Sequence, residues 1–324
     1  MTKMRAFRLL DWGRSPEVVD QDIPEPGPGQ VLVKMAAAGI CGSDLHLLDA
    51  PGNVFPFDPP FTLGHENAGY VSRVGAGVTR FSEGEPVLAA STSSCGYCEQ
   101  CRLGWDNYCL DSVSVESRMM TMRVRGIGFD GGLAEYVTVP ERELVHLGTL
   151  SPSVAAPLAD AGATSYHAVR TVLADLRPGA TAVVIGAGGL GSYAIQYLRL
   201  LSPARVIAVD RSLARRNYVR ELGADLTVAA GEKAREEILD VCNGAHAVLD
   251  FCGAEDTLKL AGDIVKPRGA VVVPGIAFGT LPFGWGGDSA QRPVQSVSGF
   301  YSQRSCRSGP AGRAGQDTGG CGCL

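Results

Sequence analysis

Four cysteines, Cys95, Cys98, Cys101 and Cys109, fall within fifteen residues at the spacing C-x2-C-x2-C-x7-C, with Gly96 and Gly104 between them. Four thiolates so placed can close a tetrahedral shell around one zinc ion and leave no position open, which makes the site structural rather than reactive. An iron–sulfur cluster is the rival reading of C-x2-C-x2-C. The ferredoxin spacing to the fourth cysteine is shorter and is followed by proline, whereas Leu110 follows Cys109. A second, dispersed set could form an open site. Cys41 stands in Gly39-Ile-Cys-Gly-Ser-Asp-Leu-His46, His65 and Glu66 in Thr62-Leu-Gly-His-Glu-Asn67, and Asp160 in Pro157-Leu-Ala-Asp-Ala-Gly-Ala-Thr164. Each of these residues alone reads as an ordinary buried or loop residue. Spacing cannot bring them together; only a fold can.

Gly186-Ala-Gly188-Gly189-Leu190-Gly191 is a G-x-G-x-x-G that directly follows an apolar run at 182–185 and opens a helical period. In that context Gly186 permits a tight turn and Gly188 lets backbone N–H groups approach a pyrophosphate. Gly191 lets helix and strand pack closely, while the helix dipole favours the anion. Asp210 ends the next strand, 19 residues after Gly191, and suits a carboxylate that accepts the ribose hydroxyls of NAD. Arg211 beside it could hold the 2′-phosphate of NADP, but the carboxylate repels that phosphate, so NAD is expected.

The elements that must position these residues change character along the chain. Runs at 5–10, 30–38, 68–74, 85–90 and 133–139 are short apolar or alternating strands, separated by Pro and Gly clusters; 51–60 reads as a loop. From about Pro152 strands at 181–185, 205–209, 225–228, 247–251, 270–273 and 294–301 alternate with helical periods at 191–201, 212–222, 232–241 and 255–265. Repeated βα units specify a parallel sheet with helices on both faces, and its strands should be continuously apolar, as they are. The 324 residues suit about two domains. A net charge of −5 gives no basic footprint, so no nucleic-acid or membrane partner is expected. The first residues show no apolar signal segment, which favours a reducing cytoplasm and free or metal-bound thiols for the ten cysteines.

Together these motifs resemble the zinc-dependent medium-chain alcohol dehydrogenases, in family order from Met4 to about Arg304. The Asp160 stretch is similar to that of bacterial secondary-alcohol dehydrogenases. The resemblance implies an α/β fold: a GroES-like β domain over 1–155, with the zinc lobe at 91–112, and a doubly wound Rossmann domain over 156–304. It implies two zinc ions per chain, NAD as cofactor, and a homodimer or homotetramer. Cys41, His65 and Asp160 would hold the catalytic zinc, with Glu66 behind them or exchanging onto the metal. An oxygen donor in place of the more usual third cysteine makes the metal a stronger Lewis acid. The zinc's open position would take an alcohol or carbonyl substrate and lower the alcohol's pKa. Ser43 would then accept the proton, His46 would pass it to solvent, and Thr164 would contact the nicotinamide ring. Phe55, Phe57, Phe61, Phe300 and Tyr301 would line the pocket and favour apolar secondary alcohols. A polyol or sugar dehydrogenase of the same superfamily is the alternative.

The stretch 305–324 departs from the family: six of its twenty residues are Gly, three are Cys, and none is Val, Ile, Phe or Met. It reads as disordered, and its composition is that of a GC-rich gene translated out of frame. The reading from another class is accordingly a non-catalytic zinc-binding protein from a gene damaged at this end.

Overall fold

Apolar residues of Gln30–Gly39 and Glu66–Val74 alternate into one core, and the two strands pair antiparallel in the middle of a five-stranded sheet. Its order is Leu144–His146, Pro86–Ala89, Glu66–Val74, Gln30–Gly39, Tyr136–Pro140. Val31, Val33, Val71, Val87 and Val139 close over Phe81. The register sets Gly39 opposite Glu66. The exit of one strand and the entry of the other therefore share one end of the sheet, with Cys41 and His65 just beyond it. In a smaller sheet Lys3–Leu9 lies between Glu17–Asp22 and Phe61–Thr62. The computed structural model describes residues 2–49, 55, 57–112 and 123–280, and the backbone alone of 294–297 and 302–304.

The second half builds a seven-stranded sheet in the order Leu226–Ala229, Arg205–Asp210, Thr181–Ile185, Ala245–Asp250, Val265–Val273, Val294–Val297, Ser302–Arg304. The first six strands are parallel and the last is antiparallel. Both faces are buried. Ala182, Val184, Val206, Ala208 and Leu249 face one core, and Val183, Ile185, Ile207, Val209 and Val248 the other. This strict alternation within all-apolar strands is what helices on both faces require. The chain reverses its direction of winding between Thr181–Ile185 and Ala245–Asp250, and such a switch opens a crevice at the carboxyl ends of the strands. The expected GroES-like and Rossmann folds are both present. Among the described residues, no helix is long and apolar enough to cross a membrane.

Several elements differ from the sequence reading. The strand read over 294–301 ends at Val297, and Ser302–Arg304 returns antiparallel to it. The helices Gly42–Asp49 and Ala161–Val172 were not expected, nor was the strand Glu17–Asp22. That strand is mostly polar, and it forms because Lys3–Leu9 supplies a full antiparallel partner. Of the residues expected to line the pocket, Phe61 is core, Phe55 stacks on Trp12 and on Phe57, Phe57 meets Trp12 at a tilt, and all three pack with Leu9 and Leu47. Phe300, Tyr301, part of the 51–60 loop and the whole of 305–324 lie outside the described residues.

Candidate metal and dinucleotide site

Cys41 is the residue before helix Gly42–Asp49, and its amide donates to the Asp44 carboxylate at 2.8 Å. That is the return half of a capping box. The other Asp44 oxygen lies 3.2 Å from His65 Nδ1. A carboxylate there fixes the ring and directs Nε2 away from it, toward Asp160, whose Oδ2 is 3.4 Å off. Asp44, His65 and Asp160 are all buried. The Cys41 sulfur, a His65 ring nitrogen and an Asp160 oxygen lie within 4.8 Å of one another.

The electrostatics of this cluster call for a cation. Burial alone pulls the His65 pKa down, yet Asp160, Asp44 and Cys41 outweigh it and push it up to about 12. A divalent ion would supply the charge that the proton supplies otherwise, and the S, N and O donors suit zinc. Glu66 is buried beside them. Desolvation and the Asp160 charge push its pKa up to about 7, and its carboxylate accepts the Ala161 amide at 3.3 Å. A Cβ on Gly39 would overlap the Glu66 carboxylate, so only glycine fits there.

Asp160 sits where the chain crosses between the sheets. Pro152–Ala159 packs on the five-stranded sheet, where the Ser91 hydroxyl donates to the Ala159 carbonyl at 3.2 Å. Helix Ala161–Val172 then enters the core of the seven-stranded sheet through Ala168, Val169 and Val172. Ser165 Oγ donates to the Leu190 carbonyl at 2.7 Å, which ties this helix to the glycine turn. The Thr164 hydroxyl donates to Asp160 Oδ1, which leaves its oxygen lone pairs and its methyl group for any contact with a nicotinamide. Ser43 lies in the first turn of helix Gly42–Asp49, 3.7 Å from the Cys41 sulfur. His46, three residues on and exposed, stands edge-to-face with Phe278 of the other half.

The four sulfur atoms of Cys95, Cys98, Cys101 and Cys109 also lie within 4.8 Å of one another. Backbone amides point at them: Cys98 N at Cys95, Cys101 N at Cys98 and Cys95 N at Cys109, at 3.3–3.5 Å. The Cys101 and Leu110 amides bring the Cys98 thiol down to about 6. Donors aimed at sulfur favour thiolates, so these residues fit a closed zinc site. The Tyr108 hydroxyl meets His167 Nε2 at 2.7 Å and fastens this lobe to helix Ala161–Val172.

In the crevice of the seven-stranded sheet, Gly186 takes a φ of +88° and Gly188 precedes helix Gly189–Leu201. A Cβ on Gly191 would strike the Gly186 carbonyl. Asp210 is buried at the end of the adjacent strand. Its two oxygens accept the Ala187 and Ser212 amides, each at 2.8 Å. Arg211 is exposed, while Arg215 Nη1 is 3.8 Å from the Asp210 carboxylate. The sequence reading missed Asp44, Ser165, Tyr108, His167 and Arg215. Only Asp44 carried a local signal, as the third residue after a helix cap.

The alcohol dehydrogenase GroES-like domain family matches residues 27–149, and the zinc-binding dehydrogenase family matches residues 189–303. An NAD-dependent alcohol dehydrogenase of Sulfurisphaera tokodaii is 38% identical over 291 residues, 86% of this chain and 80% of the relative. A D-arabinose 1-dehydrogenase (NADP(+)) of Saccharolobus solfataricus is 34% identical over 283 residues, 85% and 77% of the two chains. The crystal structure of the alcohol dehydrogenase of Aeropyrum pernix superposes with a TM-score of 0.82 at 31% identity, covering 91% of this chain and 85% of that one. With both halves matched and both donor sets assembled, the chain belongs to the zinc-dependent medium-chain alcohol dehydrogenase family.

Proposed function

We propose that this chain oxidises small alcohols reversibly to ketones or aldehydes and passes the hydride to NAD. The observation that carries the reading is the meeting of Cys41, His65 and Asp160 at the crossing between the two sheets. Three protein donors leave a fourth position for substrate. When bound, the metal supplies a Lewis acid that lowers the pKa of a substrate hydroxyl, and the nicotinamide supplies the hydride acceptor. Ser43 accepts the substrate proton beside the Cys41 sulfur, and His46, one turn along the same helix, hands it to water. Asp44 holds the His65 ring, Thr164 holds the Asp160 carboxylate, and Glu66 stands behind the donors. Gly186 to Gly191 take the pyrophosphate and Asp210 the adenine-side ribose. Residues 1–155, with the lobe at 91–112, and 156–304 act as the metal and dinucleotide halves, joined at Asp160.

The substrate class we assign is apolar secondary alcohols, a reading supported by the aromatic side chains and the scarcity of polar residues in the 51–60 stretch, which give a polyol's extra hydroxyls few partners. A homodimer or homotetramer in the cytoplasm completes the reading; the cytoplasm is supported by cysteines held as metal donors or thiols, with no disulfide among the described residues. Metal analysis combined with NADH absorbance over a panel of alcohols, ketones and polyols tests it. The expected result is two zinc ions per chain and turnover of secondary alcohols; one zinc and no turnover would overturn it.

A further inference from the structure

The crevice at the carboxyl ends of the parallel strands has a counterpart at their amino ends. There an open cleft of about 870 Å³ is bordered by the first residues of four strands and by helix ends. It is large enough for a small-molecule ligand. Its charged and titratable residues include Arg199, Arg205, His246 and Lys266, with Asp225 and Asp240. Asp225 is already engaged: its Oδ2 accepts the Val206 amide at 2.7 Å and pairs with Arg199 at 3.3 Å. Among the described residues neither Arg205 nor Lys266 has an ion-pair partner.

The hydrogen bonds in the cleft conflict. The Thr181 amide donates to His246 Nδ1 at 3.0 Å, so Nδ1 carries no proton and the neutral ring carries it on Nε2. Lys266 Nζ lies 2.8 Å from that same Nε2. Two N–H donors thus face each other with no acceptor between them. Burial and the Lys266 charge hold the His246 pKa below its ordinary value, with Asp175 acting the other way, so a neutral ring is the state at physiological pH. An anionic oxygen accepting from both nitrogens removes the conflict and meets the unpaired charge of Lys266.

We propose that this cleft is a second ligand site, distinct from the dinucleotide crevice, which takes a phosphate dianion through an oxygen that accepts from both Lys266 Nζ and His246 Nε2. Arg205 stands on the same cleft and adds to its positive field. The phosphate is either free or the head of a small phosphate ester, whose remainder lies in the open part of the cleft. Five residues of strand Thr181–Ile185 separate the Thr181 amide from Gly186. Binding here therefore stabilises the sheet that carries the cofactor without touching the cofactor.

The test is isothermal titration of the zinc-loaded protein, saturated with NADH and held at constant ionic strength, with inorganic phosphate and with glycerol 3-phosphate. One site per chain is expected. Lys266→Met should weaken binding by about tenfold or more, the loss of one charge-assisted hydrogen bond, while Lys266→Arg should largely keep it. Equal affinity for both probes assigns the site to free phosphate, and tighter ester binding assigns it to an ester. Absence of binding, or binding that survives Lys266→Met, overturns the proposal. A second readout does not depend on the variant's folding. In 15N-histidine spectra His246 should carry its proton on Nε2, and phosphate should move that proton's resonance downfield. A proton on Nδ1, or no response, counts against the site.

Discussion

The Thr164 hydroxyl donates to Asp160 Oδ1 across 2.9 Å, from one turn inside the helix that follows Asp160. The Thr164 amide also donates to the Asp160 carbonyl, at 2.8 Å. The carboxylate is thereby turned away from capping its own helix and toward His65.

Removing that hydroxyl should loosen the metal more than the fold. Thr164→Val should lower affinity at the open site by about ten- to a hundredfold, the usual cost of losing a group that orients a ligand, and Thr164→Ser should restore it. Competition with a chelator of known affinity measures this. Wild-type affinity in the valine variant would detach Thr164 from the site.

Asp160→Ala should abolish turnover and leave NADH binding intact, because the glycine turn and Asp210 lie at strand ends of the seven-stranded sheet and Asp160 lies outside that sheet. Steady-state kinetics and NADH fluorescence titration give the two readouts. An alanine variant with wild-type kcat removes Asp160 from the donor set.

At the ribose, Asp210→Ser should relax the preference for NAD over NADP, read as the ratio of kcat/KM values. The same change strands the buried Ala187 amide and the half-buried Ser212 amide that now donate to Asp210. A stability loss of about 1–3 kcal/mol should accompany the switch. A wild-type preference for NADP would refute the assignment.

Cys98→Ser should release one zinc ion per chain and lower the Tm, since closed zinc sites contribute folding energy directly. Metal analysis and calorimetry on one sample test it. Full thermal stability with one zinc fewer would end the structural role of the lobe.

His167 supplies a pH dependence. Burial holds its pKa below the ordinary 6.5. Between the folded value and 6.5 the unfolded chain binds the proton that the folded chain refuses. Stability should thus be full above 6.5 and fall as the pH drops below it. His167→Gln, which keeps a partner for Tyr108, should flatten that decline in Tm without altering the plateau above pH 7. An unchanged slope would mean that His167 binds its proton equally in the folded and unfolded chains.

The dinucleotide half was legible because its evidence is local. Buried parallel strands are continuously apolar, and the glycine turn needs glycine at fixed offsets for steric reasons. The four-cysteine lobe was equally local. The open site was not legible from spacing, because its assembly depends on the Gly39–Glu66 register and on the crossing at Asp160, both long-range. Its residues could be named only through resemblance to a family. Helix Gly42–Asp49 escaped because eight residues opening with glycine carry little period, with only Asp44 and Leu47 buried. The packing of the aromatic residues before His65 was hidden for a related reason: residue type alone does not say which rings gather on Trp12.

The crossing at Asp160 also bears on how the protein comes together. Cys41 and Asp160 are 160 − 41 = 119 residues apart, and the helix after Asp160 is anchored in the opposite core. The open site therefore cannot form inside either half; it exists only after the two have docked. Closing so long a loop is among the slow events of a chain with many non-local contacts. Metal uptake at this site thus works as a clock for docking. In refolding, it should lag the return of secondary structure, while the lobe, whose four donors span fifteen residues, fills early.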